Sequence, residues 1–188
     1  ATYRAFFRVR ELYGQVPGGM FGGDENCRPG YDDPRQAIET CGIAEQMLSD
    51  EILLRTTGDP FWADHCEEVA FNTWPASFTA DFRALRYLTS PTMATSDSIS
   101  HAPGIDNGGP FLLMNPLSHR CGQHNHSHGW TSFTKSPWAA TTDGGVCASM
   151  YAPCEVTARV GGEGPGTPFT FTVDTRYPFE ESVRIQVH

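Results

Sequence analysis

A change of residue periodicity near Asp143 constrains the fold of this 188-residue chain more than any other feature of its sequence. Before Asp143, apolar residues recur at helical spacing, in segments joined by long loops rich in glycine and proline. After it, short β-branched and aromatic runs are separated by Gly and Pro, which is typical of antiparallel strands. We therefore expect an α+β chain, with a helical part at residues 1–143 and a sheet part at residues 144–188.

The same patterns predict the individual elements. Helices are expected at residues 3–13, 40–57, 61–72 and 123–135, and strands of one antiparallel sheet at 146–152, 155–160, 169–173 and 182–187. The third helix should end before Pro75. Four strands leave a sheet edge and an apolar face uncovered, and so few helices cannot close a toroid. Both ends therefore look cut, and we expect further helices and strands to complete the fold.

The charge balance excludes two classes of partner. The chain carries 13 Lys and Arg against 22 Asp and Glu, a formal charge of -9, which repels phosphate backbones and anionic membranes. No apolar run approaches the roughly 20 residues that a membrane-spanning helix needs. We expect neither a nucleic acid nor a membrane as partner.

The six cysteines are even in number, but a chain with twelve Phe and four Trp does not need disulfides to hold a core. Cys66 lies in a helical apolar pattern and is expected to be a buried free thiol. Cys147 and Cys154 flank a predicted strand and are either core residues or a pair.

Glu39 and Cys41 form a Glu-Thr-Cys motif at the expected start of a helix. On a regular helix two residues at this spacing point to opposite sides and cannot share a metal. If Thr40 is the N-cap, however, Glu39 is extended and Cys41 lies in the first turn, where free N–H groups and the helix dipole favour a thiolate. The alternative is an exposed Glu beside a buried Cys.

A histidine cluster lies in the last predicted helix. His124 and His128 are four residues apart, a spacing that allows joint metal ligation, and His126 is on another face. Residues 124–126 also spell the HNH nuclease motif, which the acidic charge balance disfavours. The third interpretation packs one or two of the histidines with Trp130 and leaves the rest in solvent.

Glu25 lies beside Asp24 in a glycine-flanked loop. Paired carboxylates can divide into a neutral acid and an ionised base when their environments differ. The alternative is a solvated pair on a surface loop.

Four separated motifs, taken in order, resemble those of the β-L-arabinofuranosidase family, glycoside hydrolase family 127. They are GGMFGGDENCRPGYDDPRQAIETCG, TGDPFWADHCEEVAFN, RCGQHNHSHGW and WAATTDGGVCASMYAPCEVTARV. The resemblance implies the C-terminal part of an (α/α)₆ barrel followed by the start of an antiparallel β-sandwich. It also implies a glycoside or oligosaccharide substrate, with the remainder of the barrel as a structural partner.

The resemblance also implies a set of active-site residues. Glu39, Cys41 and Cys121 would bind Zn²⁺, with Cys121 also acting as the nucleophile of a retaining hydrolase. Glu25 would be the general acid/base, and Glu67 and Tyr87 would contact the sugar. The expected substrates are L-arabinofuranosides or related plant-glycan sugars.

One residue departs from the family pattern. Gly122 stands where the family has a second cysteine next to Cys121, and glycine has no side chain to bind a metal. Tetrahedral zinc needs a fourth ligand. It would come from His124, from another nearby histidine or from water, or else the site binds zinc weakly.

Two further interpretations remain open. A non-catalytic carbohydrate-binding or interaction protein would keep this fold with an incomplete zinc site. A metallohydrolase using His124 and His128 would keep its activity without Cys121. The resemblance leaves the compartment open between bacterial export, to the periplasm or beyond, and the cytoplasm.

Overall fold

The computed structural model describes residues 2–13, 16–22, 37–89, 112–113, 120–162 and 164–188. Helices precede most of the strand structure, as expected. The helices are α1 (Thr2–Tyr13), α2 (Thr40–Thr57), α3 (Phe61–Glu68), α4 (Trp74–Ala76) and α5 (Arg120–Lys135), with a π-helical segment at Val69–Thr73. The strands are β1 (Ile38–Glu39), β2 (Leu85–Arg86), β3 (Leu88–Thr89), β4 (Leu112–Leu113), β5 (Trp138–Ala140), β6 (Val146–Ala148), β7 (Cys154–Val160), β8 (Thr167–Thr175) and β9 (Val183–Val187). Membership of these helices in a toroidal barrel stays a prediction, as does the domain boundary after residue 143.

The ends of α2 and the start of α3 follow from local residue chemistry. Gly58 ends α2 in the left-handed conformation, at φ 68°, and its N–H donates to the carbonyl of Leu54 at 2.8 Å. Asp59 then accepts a hydrogen bond from the N–H of Phe61 at 3.0 Å, which satisfies a free donor at the start of α3. None of the helices in the described ranges has the length and apolarity needed to cross a bilayer.

The third predicted helix does not end near Asn72 as expected. It widens into the π-helical segment and then continues through Trp74, Pro75 and Ala76. The helix then ends at Ala76, one residue after Pro75, which has no N–H to donate. The expectation that Pro75 lies beyond the helix was therefore wrong.

The predicted strands form two antiparallel units rather than one sheet. β7, β8 and β9 form a three-stranded sheet in sequence order, with Val156 opposite Phe171 and Val173 opposite Ile185. β6, shorter than predicted, pairs instead with β5 in a hairpin. The hairpin turn at residues 141–145 therefore places β5, the first strand of this hairpin, before the expected boundary at Asp143.

The core lies where α2, α3 and α5 meet. Ile43 and Met47 of α2 pack with Cys66 of α3 and Phe133 of α5, all fully buried. Cys66 is a buried free thiol, as predicted. Ile52 of the same helix lies outside this core and is 51% exposed.

In the second half of α2, the buried side chain of Asp50 pairs with His65 of α3. Asp50 Oδ2 lies 2.7 Å from Nδ1 of His65, and the other ring nitrogen of His65 lies 2.7 Å from the carbonyl oxygen of Gly19. Burial raises the pKa of Asp50. Burial alone would lower the pKa of His65, but its hydrogen bond to Asp50 and the charge of that carboxylate raise it overall. The pair thus anchors segment 16–22 to the helices.

Candidate metal and active site

The backbone at the start of α2 holds Glu39 and Cys41 toward one point. Glu39 is extended, at φ -77° and ψ 138°, because it pairs with Leu88 in the short β1–β3 ladder. The helix begins at the next residue, so Cys41 lies in its first turn. The predicted geometry of an extended glutamate before a helical cysteine is confirmed.

The capping residue itself differs from the prediction. Glu39, not Thr40, is the N-cap, and no side chain caps this end. Thr40 is the first helical residue, and its backbone N–H donates to the carbonyl of Tyr87 at 3.0 Å. Its hydroxyl donates to the carbonyl of Arg86 at 2.5 Å. Thr40 therefore joins α2 to the β2–β3 segment, because carbonyls from that segment lie within reach of both its donors.

Cys121 reaches the same point from the first turn of α5. The Cys121 thiol donates a long hydrogen bond of 3.9 Å to Oε1 of Glu39. The ligand atoms of Glu39, Cys41 and Cys121 all lie within 4.8 Å of one another. Residues 80 or more positions apart in sequence thus converge on one small volume.

The geometry and the donor types fit a zinc ion. Zinc binds Cys sulfur at about 2.3 Å and carboxylate oxygen at about 2.0–2.2 Å, so ligands at neighbouring tetrahedral corners are separated by about 3.3–3.8 Å. The observed spacing needs only small side-chain rotations to match it. Thiolates select zinc over the harder Mg²⁺ and Ca²⁺. In the described part of the chain, the candidate metal site has three ligand side chains, those of Glu39, Cys41 and Cys121.

The electrostatics of the cluster disfavour a thiolate when no cation is present. Burial raises the pKa of Cys41 far above its ordinary range, and the nearby Glu39 and Cys121 add to this effect. A hydrogen bond from the side chain of Asn125 acts in the opposite direction. Two thiols and a carboxylate in contact therefore form a site that a cation would stabilise.

One histidine of α5 is packed and two are exposed, as the packing interpretation predicted, but the buried His126 stacks on Trp74 rather than Trp130. His126 is 7% exposed and stacks on Trp74 at 4.4 Å between ring centroids. Trp74 in turn stacks on Trp130 at 5.6 Å. His124 and His128 are exposed, and within the described ranges neither belongs to the three-donor group. His124 as a fourth ligand stays a prediction.

Glu67 lies at the contact between helices and strands. Its side chain is buried, with 7% of the residue exposed. Oε1 accepts a hydrogen bond from the backbone N–H of Tyr151 at 2.5 Å, and Oε2 accepts one from the hydroxyl of Tyr177 at 3.1 Å. Burial raises the pKa of Glu67, and these two donors oppose the rise. Both oxygens thus have partners within the chain.

Two other predicted site residues have contrasting outcomes. Tyr87 is fully buried beside the start of α2, directly before Leu88 of the β1–β3 ladder. Glu25, the predicted acid/base, lies outside the described residues. Roles for both stay predictions.

Sequence reasoning missed Asn125 and the Asp50–His65 pair. The signal for Asn125 was present, since it lies four residues after Cys121 and so on the same face of α5. Nothing in the sequence paired Asp50 with His65, because they lie on different helices whose packing the local pattern does not specify.

Comparisons with known proteins agree with this architecture. A search of the curated proteins found no match. One similar solved structure is a family 127 β-L-arabinofuranosidase from Geobacillus stearothermophilus T6, at 14% identity and a TM-score of 0.72, over 96% of this chain and 28% of that one. Another, described as a glycoside hydrolase, has 18% identity and a TM-score of 0.65, over 93% of this chain and 30% of that one.

The chain therefore spans less than a third of the length of these solved structures. At such low identity the structural likeness shows a shared fold. The family assignment comes from residues 2–135, which match the family model of the β-L-arabinofuranosidase GH127 catalytic domain. This stretch covers well over half of the chain and includes the whole Glu39–Cys41–Cys121 cluster. The chain belongs to the β-L-arabinofuranosidase family, glycoside hydrolase family 127.

Proposed function

We propose that this chain forms part of a retaining glycoside hydrolase that cleaves L-arabinofuranosides or related plant-glycan sugars. The convergence of Glu39, Cys41 and Cys121 carries the proposal. A carboxylate and two thiols from the starts of two helices fit a zinc site, and family membership connects such a site with glycoside hydrolysis.

Cys121 is the proposed nucleophile because it is the exposed sulfur of the cluster. It lies in the first turn of α5, and its thiol is directed toward Oε1 of Glu39. Zinc, when bound, ionises its coordinating thiols and so makes a thiolate available at neutral pH. Glu39 and Cys41 would hold the ion, with water or His124 as the fourth ligand.

The reaction would follow a double displacement. The Cys121 sulfur attacks the anomeric carbon, the bond from that carbon to the leaving oxygen breaks, and Glu25 gives that oxygen a proton. A thioglycosyl-cysteine results. Glu25 then takes a proton from water, the water oxygen attacks the anomeric carbon, and the Cys121 thiolate leaves with retained sugar configuration.

Glu67 and Tyr87 are proposed to lie on the substrate side of this site. The carboxylate of Glu67 already accepts two hydrogen bonds within the chain. A sugar hydroxyl would therefore share an oxygen with Tyr177 rather than meet a free carboxylate. The role of Glu67 is thus partly to position the strand segment relative to α3.

The decisive experiment compares two exposed cysteines in the complete natural protein. Cys121→Ala should lower hydrolysis of an aryl β-L-arabinofuranoside at least about a thousandfold, because the covalent route is lost. Cys147→Ala, at an exposed position in β6, should leave turnover unchanged. Zinc measured by elemental analysis should be close to one ion per chain in the natural protein. Removal of zinc with a chelator should abolish activity, and addition of zinc should restore it.

One observation favours a second candidate function. Gly122 leaves three described donors, which also fits a non-catalytic carbohydrate-binding or interaction protein with an incomplete zinc site. No bound zinc and no turnover in the complete natural protein would favour that candidate. Turnover that survives Cys121→Ala would instead point to a histidine-based metallohydrolase using His124 and His128.

A further inference from the structure

A cavity of about 720 Å³ lies at the C-terminal ends of α2 and α5, away from the candidate metal site. Residues of both helix ends and of the β5–β6 hairpin line it. Cys121 and Lys135 are at opposite ends of α5, fourteen residues apart, which corresponds to about 21 Å of helix. The cavity is therefore separate from the Glu39–Cys41–Cys121 cluster, and its volume is within the range of roughly 300–1,000 Å³ that is typical of small-molecule sites.

A buried carboxylate of the cavity wall is only partly satisfied by the protein. Glu51 is 1% exposed and is one of the lining residues. Its Oε2 accepts a hydrogen bond from the hydroxyl of Ser136 at 2.7 Å and lies 3.5 Å from a guanidinium nitrogen of Arg55. Its Oε1 has no hydrogen-bond partner within the described ranges. A buried acceptor without a donor is costly, so a ligand that brings a donor to Glu51 would be favoured.

The charges around the cavity are mixed. Arg55 and Lys135 line it together with the carboxylate of Glu51. Burial raises the pKa of Glu51, but the hydrogen bond from Ser136 and the two cations oppose the rise. The carbonyl ends of α2 and α5 add the negative ends of two helix dipoles. An anion would thus be opposed by Glu51 and the helix ends, and a cation by Arg55 and Lys135, so a neutral ligand with both donors and acceptors fits best.

Trp138 of β5 adds an aromatic side chain to the cavity wall. It is half-buried, and its ring packs on Phe171 of β8 with 5.0 Å between the ring centroids. An indole fixed in this way gives a ligand a large apolar contact area. A sugar ring has apolar C–H faces and hydroxyl groups that both donate and accept hydrogen bonds. An aromatic ring beside a carboxylate and two cations therefore matches the two kinds of surface on a neutral sugar.

We propose that this cavity is a second ligand site, which binds a neutral sugar unit against Trp138 with Glu51 accepting a hydrogen bond from one of its hydroxyls. The site goes beyond the proposed hydrolysis, because no ligand of the metal cluster lines it. A sugar bound there is too far from Cys121 to be cleaved. The cavity therefore holds a sugar without reacting with it.

The test uses the complete natural protein, with L-arabinose and D-galactose as neutral probes and the fluorescence of Trp138 as the local signal. Glu51→Gln keeps an acceptor for Ser136 but removes the charge. Trp138→Phe removes the signal and most of the contact area, and it provides an independent test if Glu51→Gln fails to fold. Glu45→Gln is the matched control, since Glu45 is exposed on α2 and does not line the cavity. Equilibrium dialysis repeats each titration without fluorescence.

At least one neutral sugar should change the fluorescence of the natural protein and of Glu45→Gln, with the same half-saturating concentration. That concentration should rise about tenfold in Glu51→Gln, because a hydrogen bond to a charged acceptor is lost. The change should disappear in Trp138→Phe. D-Galacturonate and D-galactosamine, which add a negative and a positive charge to galactose, should bind at least about tenfold more weakly than the better neutral sugar.

Three results would overturn the inference. The first is that dialysis and fluorescence detect neither neutral sugar. The second is that a fluorescence change survives in Trp138→Phe or has the same midpoint in Glu51→Gln. The third is that a charged sugar binds more tightly than both neutral ones.

The failure of the proposed function gives a different pattern. Cys121→Ala should give the same sugar titration as the natural protein, because Cys121 lies at the other end of α5. If that variant retains full turnover, the proposed hydrolysis is wrong, while the titration still tests the cavity. Loss of turnover in Cys121→Ala, combined with an unchanged titration in Glu51→Gln, would support the hydrolysis and reject the second site.

Discussion

Side chains on α5 have different environments according to the face of the helix on which they lie. Cys121 faces the start of α2 and the candidate metal site. His126, five residues further on, is buried against Trp74 and lies edge-on to Phe78 at 4.2 Å. Burial lowers the pKa of His126 to about 4, because the charged ring would lose its contact with water. This histidine is therefore a neutral packing residue at neutral pH.

The buried His126 predicts a loss of stability on the acid side of neutrality. The unfolded chain takes up a proton near pH 6.5 whereas the folded chain does so only near pH 4, so the free energy of unfolding should fall as the pH drops between these values. The loss is roughly 3 kcal/mol at most. His126→Phe keeps a stacked ring and should remove this part of the pH dependence, measured by urea unfolding at pH 7, 5.5 and 4.

His128→Phe is the matched control for this prediction. His128 is exposed on the same helix, so the variant still contains His126 and should keep the acid-side loss. Identical pH slopes for natural protein and His126→Phe would show that another group is responsible.

At the scale of elements, α5 packs closely because it carries glycine where α4 approaches. A Cβ built on Gly129 would lie 2.5 Å from Nε1 of Trp74, closer than real side chains approach. Trp74 cannot easily retreat, because it stacks on both His126 and Trp130. The absence of a side chain at position 129 thus permits the aromatic stack between these helices.

Gly129→Ala should therefore destabilise the protein although alanine is the better helix former. Alanine gains up to about 1 kcal/mol in helix propensity, but the clash with Trp74 should outweigh it and leave a net loss of about 1–3 kcal/mol. Gly42→Ala is the control, since among the described residues no atom lies within 4 Å of a Cβ built there. It should be neutral or stabilising. Thermal melting of both variants checks the pair, and a stabilised Gly129→Ala would contradict the packing.

At the scale of the whole molecule, buried acids join the helices to the strands. Glu67 of α3 accepts hydrogen bonds from Tyr151, between β6 and β7, and from Tyr177, between β8 and β9. Glu51 of α2 accepts one at 2.7 Å from the hydroxyl of Ser136, which lies between α5 and β5. Described helices and strands are thus held together by polar bonds as well as apolar packing.

Glu67→Ala should weaken this connection. Loss of the carboxylate leaves the Tyr151 N–H without its acceptor and should cost about 2 kcal/mol in the free energy of unfolding. Glu68→Ala, at the exposed neighbour, should cost little. Glu67→Gln keeps an acceptor for Tyr151 and should melt near the natural protein. A higher KM for Glu67→Gln, without a lower melting temperature, would indicate that Glu67 also contacts the sugar.

Much of the secondary structure was predictable because it depends on neighbouring residues. The start of α2 after Glu39, its end at Gly58 and the three strands after residue 153 all follow local signals. The continuation past Asn72 and the pairing of β6 with β5 were not predicted. The β5–β6 hairpin is local, since only residues 141–145 separate its strands, but the run Trp138–Ala140 is too short to show strand alternation. The continuation past Asn72 depends on helix packing that local signals do not specify.

The sequence by itself determined the residue types of the candidate site, its family motifs and the local geometry that turns Glu39 and Cys41 toward one side. Only the tertiary structure decided that Cys121 joins them and that His126 is a packing residue. The physical reason is that local backbone conformation is set by neighbouring side chains, whereas the meeting of α2 and α5 depends on how distant apolar faces pack in three dimensions.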